Sequence, residues 1–321
     1  MSKYDVIIID TVNLAYKLFN KTEEPLLLSK KFIYKDFICN FIKSVESLES
    51  QYLHFDGEVY LLIDNYFSRA DLESAFLSLN RKQIDETYKA TRKKENREFY
   101  NSINFIRYYY IINSSKYHTI RIDGLEADDL VKPLVQNVLK DKSCLLITSD
   151  LDWCRYLSEK TDWLPSLKEE PETLELLKQR LQFPVTEVNL ICYKALFGDK
   201  SDNVTAMLPE NEENKKLFLD LIKVVTYPEQ IIYMSRDEAF IERYPILKCI
   251  KANDCKKIPG EKRYLSNVQL VSTLSCSLEH LRKNTTTGTD NKTLIKAVRE
   301  AIGLDTPKGV FVFGGVRRPR V

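Results

Sequence analysis

YDVIIID, residues 4–10, is a short apolar run rich in β-branched residues that closes on a carboxylate. An unbroken apolar run of this length has the pattern of a strand buried on both faces, as in a parallel sheet. EVYLLID (58–64) repeats the pattern, and TIRID (119–123) and SCLLITS (143–149) read as a third and fourth strand. Helical stretches lie between them: one with its longest piece from about 30 to 50, a mostly helical and strongly charged one over 69–112, and EADDLVKPLVQNVL at 126–139. Strands alternating with helices predict an α/β fold, a parallel sheet flanked by helices and joined by right-handed crossovers.

From about Val185 the pattern becomes mainly helical. VTEVNLICYKALFG (185–198) has apolar residues at helical spacing and stops at Gly198. KKLFLDLIKVV (215–225) reads as another helix, and 226–305 reads as helical without a legible motif. The expected organisation is therefore a sheet domain over 1–180 and a second, mainly helical domain over 181–321. The latter ends in GVFVFGGVRRPRV, read as a short strand and a flexible basic tail.

Acid gathers at the strand ends. Asp10 closes the first strand and Asp64 the second; the third runs through Gly124 into Glu126, Asp128 and Asp129; the fourth is followed by Asp150 and Asp152. The C-termini of parallel strands share one edge, where ligands bind. Asp199 and Asp202, just after the helix ending at Gly198, are placed to close the site from the other side. Like charges about 4 Å apart repel by about 4 kcal/mol at an effective dielectric near 20. Such a cluster calls for cations, and hard oxygen ligands without His or Cys select Mg²⁺, with Mn²⁺ able to substitute. Two ions about 3.5–4 Å apart make a phosphoryl-transfer centre. Taken singly, each acid has a plainer reading. Asp10 or Asp64 is a helix cap or turn former, Asp128 and Asp129 are first-turn acids, and Asp202 caps a turn. Coincidence at four strand ends favours the shared site.

Composition narrows the classes. No apolar run approaches the roughly 20 residues that span a bilayer, and no signal peptide is evident, so no membrane association and an intracellular location are expected. Seven dispersed cysteines without a CxxC pair read as reduced core thiols, and three separated histidines without ligand spacing give little support to soft-metal or His-based nucleophile chemistry. Net charge is only +2, yet RKQIDETYKATRKKENR (81–97) carries a local +4. A neutral average thus conceals a basic track beside a carboxylate site. Tyr108, Tyr109 and Tyr110 are candidate base-stacking rings, but packing is the better reading for them, as for Trp153 and Trp163.

The segments IIIDTVNLAYK (7–17), LLIDN (61–65), YKATR (88–92), GLEADDLV (124–131), TSDLDWCRYL (148–157) and GDKSDNV (198–204) together resemble the 5′-nuclease superfamily of flap endonucleases and 5′→3′ exonucleases. They occur in that family's order and at similar distances. Size and the divergent C-terminal half look closest to the bacteriophage ribonuclease H and 5′-exonuclease branch. The resemblance implies a PIN-like sheet with a helical arch at about 81–110. It places Asp10, Asp64, Glu126 and Asp128 around a first metal and Asp150, Asp152, Asp199 and Asp202 around a second, with Asp129 in the cluster but assigned to neither. Lys89 and Arg92 match the arch residues that bind the scissile phosphate, with Tyr88, Lys93 and Lys94 beside them as nucleic-acid contacts. One departure concerns the glycine-rich helix-hairpin that follows the last acids in many members and binds a potassium ion. Here TAMLPENEENKK (205–216) has no glycine, which puts the potassium site in doubt and leaves Lys215 and Lys216 as the duplex contacts.

The implied activity is two-metal hydrolysis of DNA and RNA–DNA hybrids with 5′ ends or flaps, as in RNA primer removal during replication, giving 5′-phosphate and 3′-hydroxyl products. A monomer is expected, with a replication clamp or single-strand-binding protein as the class of partner, in the cytoplasm of a bacterial host if phage-encoded. The competing readings are a PIN-type single-strand ribonuclease, which is usually shorter and lacks the basic segment, and an inactive junction-binding protein, whose signature would be lost acids.

Overall fold

A computed structural model describes residues 4–28, 30–64, 97–200, 202–252, 258–273 and 276–305. Its centre is a six-stranded sheet of β1 (Tyr4–Asp10), β4 (Leu53–Leu62), β5 (Tyr117–Ile120), β6 (Cys144–Ile147), β7 (Thr161–Leu164) and β8 (Thr285–Thr287). The spatial order is β7-β6-β1-β4-β5-β8, and every pairing is parallel except β5 with β8. A short hairpin of β2 (Leu26–Leu28) and β3 (Lys31–Ile33) stands apart.

Strand alternation divides the core. Val6, Ile8, Tyr60, Leu62, Cys144 and Leu146 face one side. There they meet α4 (Ala127–Pro133), α6 (Glu187–Phe197) and α11 (Gly260–Val271) through Leu130, Leu190 and Val268. Ile7, Ile9, Val59, Leu61, Leu145 and Ile147 face the other side. They pack on α2 (Lys35–Tyr52) and α3 (Arg97–Ile112) through Phe37, Phe41, Phe99 and Ile106. Each such fully buried side chain contributes about 1.5–3 kcal/mol, so the middle strands hold a rigid edge on which the site is built.

Several expectations need correction. The third strand ends at Ile120 rather than 123, because the chain turns at Gly124, whose φ is +80°. The helix expected over 126–139 is α-helical only to Pro133, which has no N–H to continue the ladder. A wider turn follows over Leu134–Val138, with Leu139 N–H donating to Leu134 C=O at 2.9 Å. The last part of the segment expected as an arch, 97–110, lies in α3 and belongs to the body: Phe99, Ile103, Ile106, Tyr109 and Tyr110 are buried, while Tyr108 is exposed. Residues 81–96 lie outside the described part, as does the tail 309–321. One apolar cluster includes residues from Val6 to Leu281, on both sides of the boundary expected near 180. The chain then returns to the sheet as β8, and α13 (Lys292–Ala301) is tied to the body by Arg299, which bonds Glu46 and Tyr109 at 2.8 and 2.7 Å. The six described cysteines are free, and no helix among the described residues is long and apolar enough to cross a membrane.

Candidate metal centre

Four strands of the sheet deliver acid to one edge. β1 passes directly into α1 (Thr11–Leu18) because Asp10 caps the helix, its Oδ1 accepting from Asn13 N–H at 3.0 Å. Its Oδ2 accepts from Thr148 Oγ1 at 3.0 Å. Burial, and after it the neighbouring Asp64, push the Asp10 carboxyl up to about 7. Asp64 lies just beyond β4, and its Oδ1 accepts from Ala127 N–H at the start of α4 at 2.6 Å. Asp150 follows β6, with Oδ1 accepting from Asp152 N–H at 2.9 Å, and is also pushed up, by burial first and then by Asp152.

α4 sorts its three acids by role. Asp128 Oδ1 accepts from the indole N–H of Trp153 at 2.7 Å, so a core tryptophan from the motif after β6 aims this carboxylate. Asp129 is turned inward, 1% exposed, and accepts from Glu126 N–H at 3.0 Å. That is the reciprocal contact of a helix cap. Glu126 stands at the N-cap position.

Two groups of carboxylate oxygens form among the described residues, Asp128–Asp150–Asp152 and Asp152–Asp199–Asp202, each with ligand atoms within 4.8 Å of one another. Asp152 is common to both. Asp128 thus clusters with Asp150 and Asp152, whereas the family-based partition sets it with Asp10, Asp64 and Glu126. Asp10 and Asp64 fall in neither group, but the charges of Asp64 and Asp150 both act on the Asp10 carboxyl.

Sequence reasoning missed two cations. Lys194 Nζ lies 2.7 Å from Asp152 Oδ1 and 2.6 Å from Asp199 Oδ2, with the side chain almost fully buried. Arg155, also buried, pairs with Asp152. Burial alone would raise Asp152, yet the Arg155 guanidinium and the Lys194 ammonium hold it at about 2. Burial opposes the charge on Lys194, but Asp152 and Asp150 keep it protonated well above the ordinary lysine value. The signal was present: Lys194 is the one basic residue in an otherwise apolar helical stretch directly before Asp199.

The donor chemistry fits hard divalent cations. Each group offers oxygen ligands with no His or Cys, and the carboxylates of Asp10 and Asp150 are held back from ionising by burial first and then by neighbouring carboxylates, Asp64 for Asp10 and Asp152 for Asp150. Asp152, common to both groups, pairs with Lys194 and Arg155, and Asp199 of the second group also pairs with Lys194.

A family model described as the 5′-3′ exonuclease N-terminal resolvase-like domain matches residues 5–182, more than half of the chain. The chain belongs to the 5′-3′ exonuclease family. Solved structures similar to this exonuclease-family chain include a bacteriophage T5 protein co-crystallised with metal ions, at 16% identity and a TM-score of 0.58, covering 95% of each chain. A bacteriophage T5 flap endonuclease in a pseudo-enzyme–product complex with DNA and metal ions is 17% identical with a TM-score of 0.51, covering 84% of this chain and 99% of the other. The T5 5′-exonuclease with bound zinc is 16% identical with a TM-score of 0.51, covering 85% and 100%. These likenesses show a shared fold, in agreement with the expected PIN-like, parallel-dominated sheet flanked by helices. No curated protein matches the exonuclease-family chain by sequence.

Lys89 and Arg92, with Tyr88, Lys93 and Lys94, fall outside the described residues. Lys215 pairs with Glu210 at 3.2 Å, and Lys216 is exposed beside it on α7 (Glu212–Leu221). That helix opens with Glu212 and Glu213 behind the cap Asn211, an acidic start unlike an anion-binding helix N-terminus.

Proposed function

We propose that this chain is a two-metal-ion 5′→3′ exonuclease and flap endonuclease. It hydrolyses phosphodiester bonds in DNA and in RNA–DNA hybrids, leaves 5′-phosphate and 3′-hydroxyl ends, and serves RNA primer removal in replication. The observation that carries this reading is the pair of carboxylate groups sharing Asp152 at the C-terminal edge of the sheet. Mg²⁺ or Mn²⁺ held there supplies Lewis acidity toward the phosphate and lowers the pKa of the attacking water.

The chain's own residues do the rest. Asp128, Asp150 and Asp152 bind one ion, and Asp152, Asp199 and Asp202 bind the other, with Asp10, Asp64 and Glu126 completing the charge around the pair. Trp153 and Thr148 hold Asp128 and Asp10 in fixed orientations. Lys194 neutralises Asp152 and Asp199 and keeps the two groups together before a substrate arrives. Lys89 and Arg92 bind the scissile phosphate and offset charge developing in the transition state. The protein acts as a monomer on a single 5′ end.

The test is cleavage of labelled 5′-flap DNA, nicked duplex, RNA–DNA hybrid and unstructured RNA, with Mg²⁺, Mn²⁺ or EDTA, beside Asp150→Asn. Shortening from the 5′ end that needs the metal and disappears in the variant is the expected result. Undiminished cutting in EDTA or by Asp150→Asn refutes the metal mechanism, and cutting confined to unstructured RNA makes the protein a PIN-type ribonuclease instead.

A further inference from the structure

The turn that carries Asp199 and Asp202 is closed at its neck. Asp199 and Val204 exchange two backbone hydrogen bonds, Asp199 N–H to Val204 C=O at 3.0 Å and the reverse at 2.8 Å. The N–H groups of Met207 and Leu208 both donate to Leu196 C=O, at 2.8 and 3.1 Å. Gly198 enters the turn at φ +79°, where a Cβ would lie 2.7 Å from the backbone of Val204 and of Ala206. This tight path takes Asp199 N–H away from the last carbonyls of α6, so Ala195 C=O cannot be matched by the usual continuation of the helix.

A residue from a distant part of the chain supplies the missing donor. Asn267 lies inside α11 and is fully buried. Its Nδ2 donates to Ala195 C=O just before the turn and to Thr205 C=O just after it, both at 2.8 Å. Both acceptors are carbonyls, so the orientation of the amide is set by chemistry: flipped, it would press an oxygen against two others. The Asn267 Oδ1 is itself buried with no hydrogen-bond partner among the described residues. An amide that leaves its acceptor unmatched in order to satisfy two carbonyls is placed by its donors. The same helix reaches the acids a second time, because Val271 C=O accepts from Arg155 Nη1 at 3.0 Å while Arg155 pairs with Asp152.

We propose that Asn267 is a positioning residue for the second carboxylate group. Its carboxamide clamps the neck of the turn so that Asp199 and Asp202 face Asp152 at ion-binding separation, and α11 thereby sets the geometry of a site to which it contributes no ligand. This rests on the reading of the edge as a two-ion centre. A polar core residue that merely satisfied stray carbonyls would affect stability alone.

The experiment titrates Mn²⁺ into the full chain and follows free ion by electron paramagnetic resonance, for the wild type, Asn267→Ala and Asn267→Ser, with far-ultraviolet circular dichroism of each without metal. The wild type is expected to bind two ions. Asn267→Ala keeps the tighter one and binds the second about 10–100-fold more weakly, the range for loss of a residue that orients metal ligands. Asn267→Ser, which retains one donor, falls between. If the wild type binds no Mn²⁺, the site reading fails independently of Asn267. Two ions with unchanged constants in both variants overturn the proposal. So do equal weakening of both ions, and loss of the folded spectrum in both variants, since the amide then supports the core in general.

Discussion

Lys194→Met replaces a buried ammonium with an apolar side chain of similar length. In the wild type, that ammonium lies 2.7 Å from Asp152 and 2.6 Å from Asp199. Removing one partner of a buried ion pair costs about 3–5 kcal/mol, because Asp152 and Asp199 stay buried with one counter-charge fewer. With an unfolding entropy of about 2.1 cal/mol/K per residue over 321 residues, each kcal/mol moves the Tm by about 1.5 °C. The variant should therefore melt about 4–7 °C below the wild type in EDTA. The sign with pH follows from both partners. Asp152 is lowered from 3.8 to about 2, so its contribution is complete above the unfolded value and lost as pH falls through about 2. Lys194 is raised from 10.5, so its contribution is complete below that value and lost only as pH rises beyond it. Hence the gap between variant and wild type should be the same at pH 6 and pH 8. Differential scanning calorimetry at both pH values, with and without Mn²⁺, is the assay, and Mn²⁺ should close part of the gap by replacing the lost cation. A Tm within about 1 °C of the wild type in EDTA would refute the reasoning, because a buried pair removed at that cost cannot shift the melt so little.

Asp10 should behave in the opposite way: its folded pKa of about 7 exceeds the unfolded 3.8, so burying it costs nothing below that lower value and most above pH 7. Relative to the wild type, Asp10→Asn in EDTA should gain up to about 4 kcal/mol between pH 4 and pH 8, and parallel melting curves across that range would exclude the shift. Mg²⁺ should stabilise the wild type by about 2.7 kcal/mol at a hundred times its Kd, and more at pH 8 than at pH 5.5, where Asp10 is protonated; equal thermal shifts at the two pH values would contradict this. Trp153→Phe keeps the buried ring but removes the donor to Asp128, so metal affinity should fall about 10–100-fold in a Mn²⁺ titration while the Tm falls far less than for an alanine. Gly198→Ala should destabilise by more than about 1 kcal/mol in urea denaturation, since neither φ +79° nor the 2.7 Å approach to backbone admits a Cβ.

The sheet and most of its acids were legible because they follow from local regularities. Unbroken apolar runs marked the buried strands, and a carboxylate after each run marked the edge where parallel strands end. Asp10, Asp64, Asp128, Asp150 and Asp152 are found there, and the turn signalled by Gly198 brings Asp199 and Asp202 to Asp152. β8 was not legible, since three threonines pair with β5 only because a strand far away in sequence offers a free edge. The inward turn of Asp129 also lay beyond sequence pattern, since neighbouring acids on one helix differ in role only by which way α4 faces.

Four buried parallel strands and the convergence of acid at their ends were thus determined by sequence alone, because periodicity and spacing are properties of neighbouring residues, and the resemblance to a nuclease family rested on the motifs read in order. Tertiary structure alone decided that Lys194 and Arg155 neutralise Asp152, that Trp153 aims Asp128, and that Asn267 clamps the last acidic turn. Those contacts join residues on separate elements. Which donor reaches which carboxylate or carbonyl is fixed only when α6, α11 and the segment after β6 pack against one another.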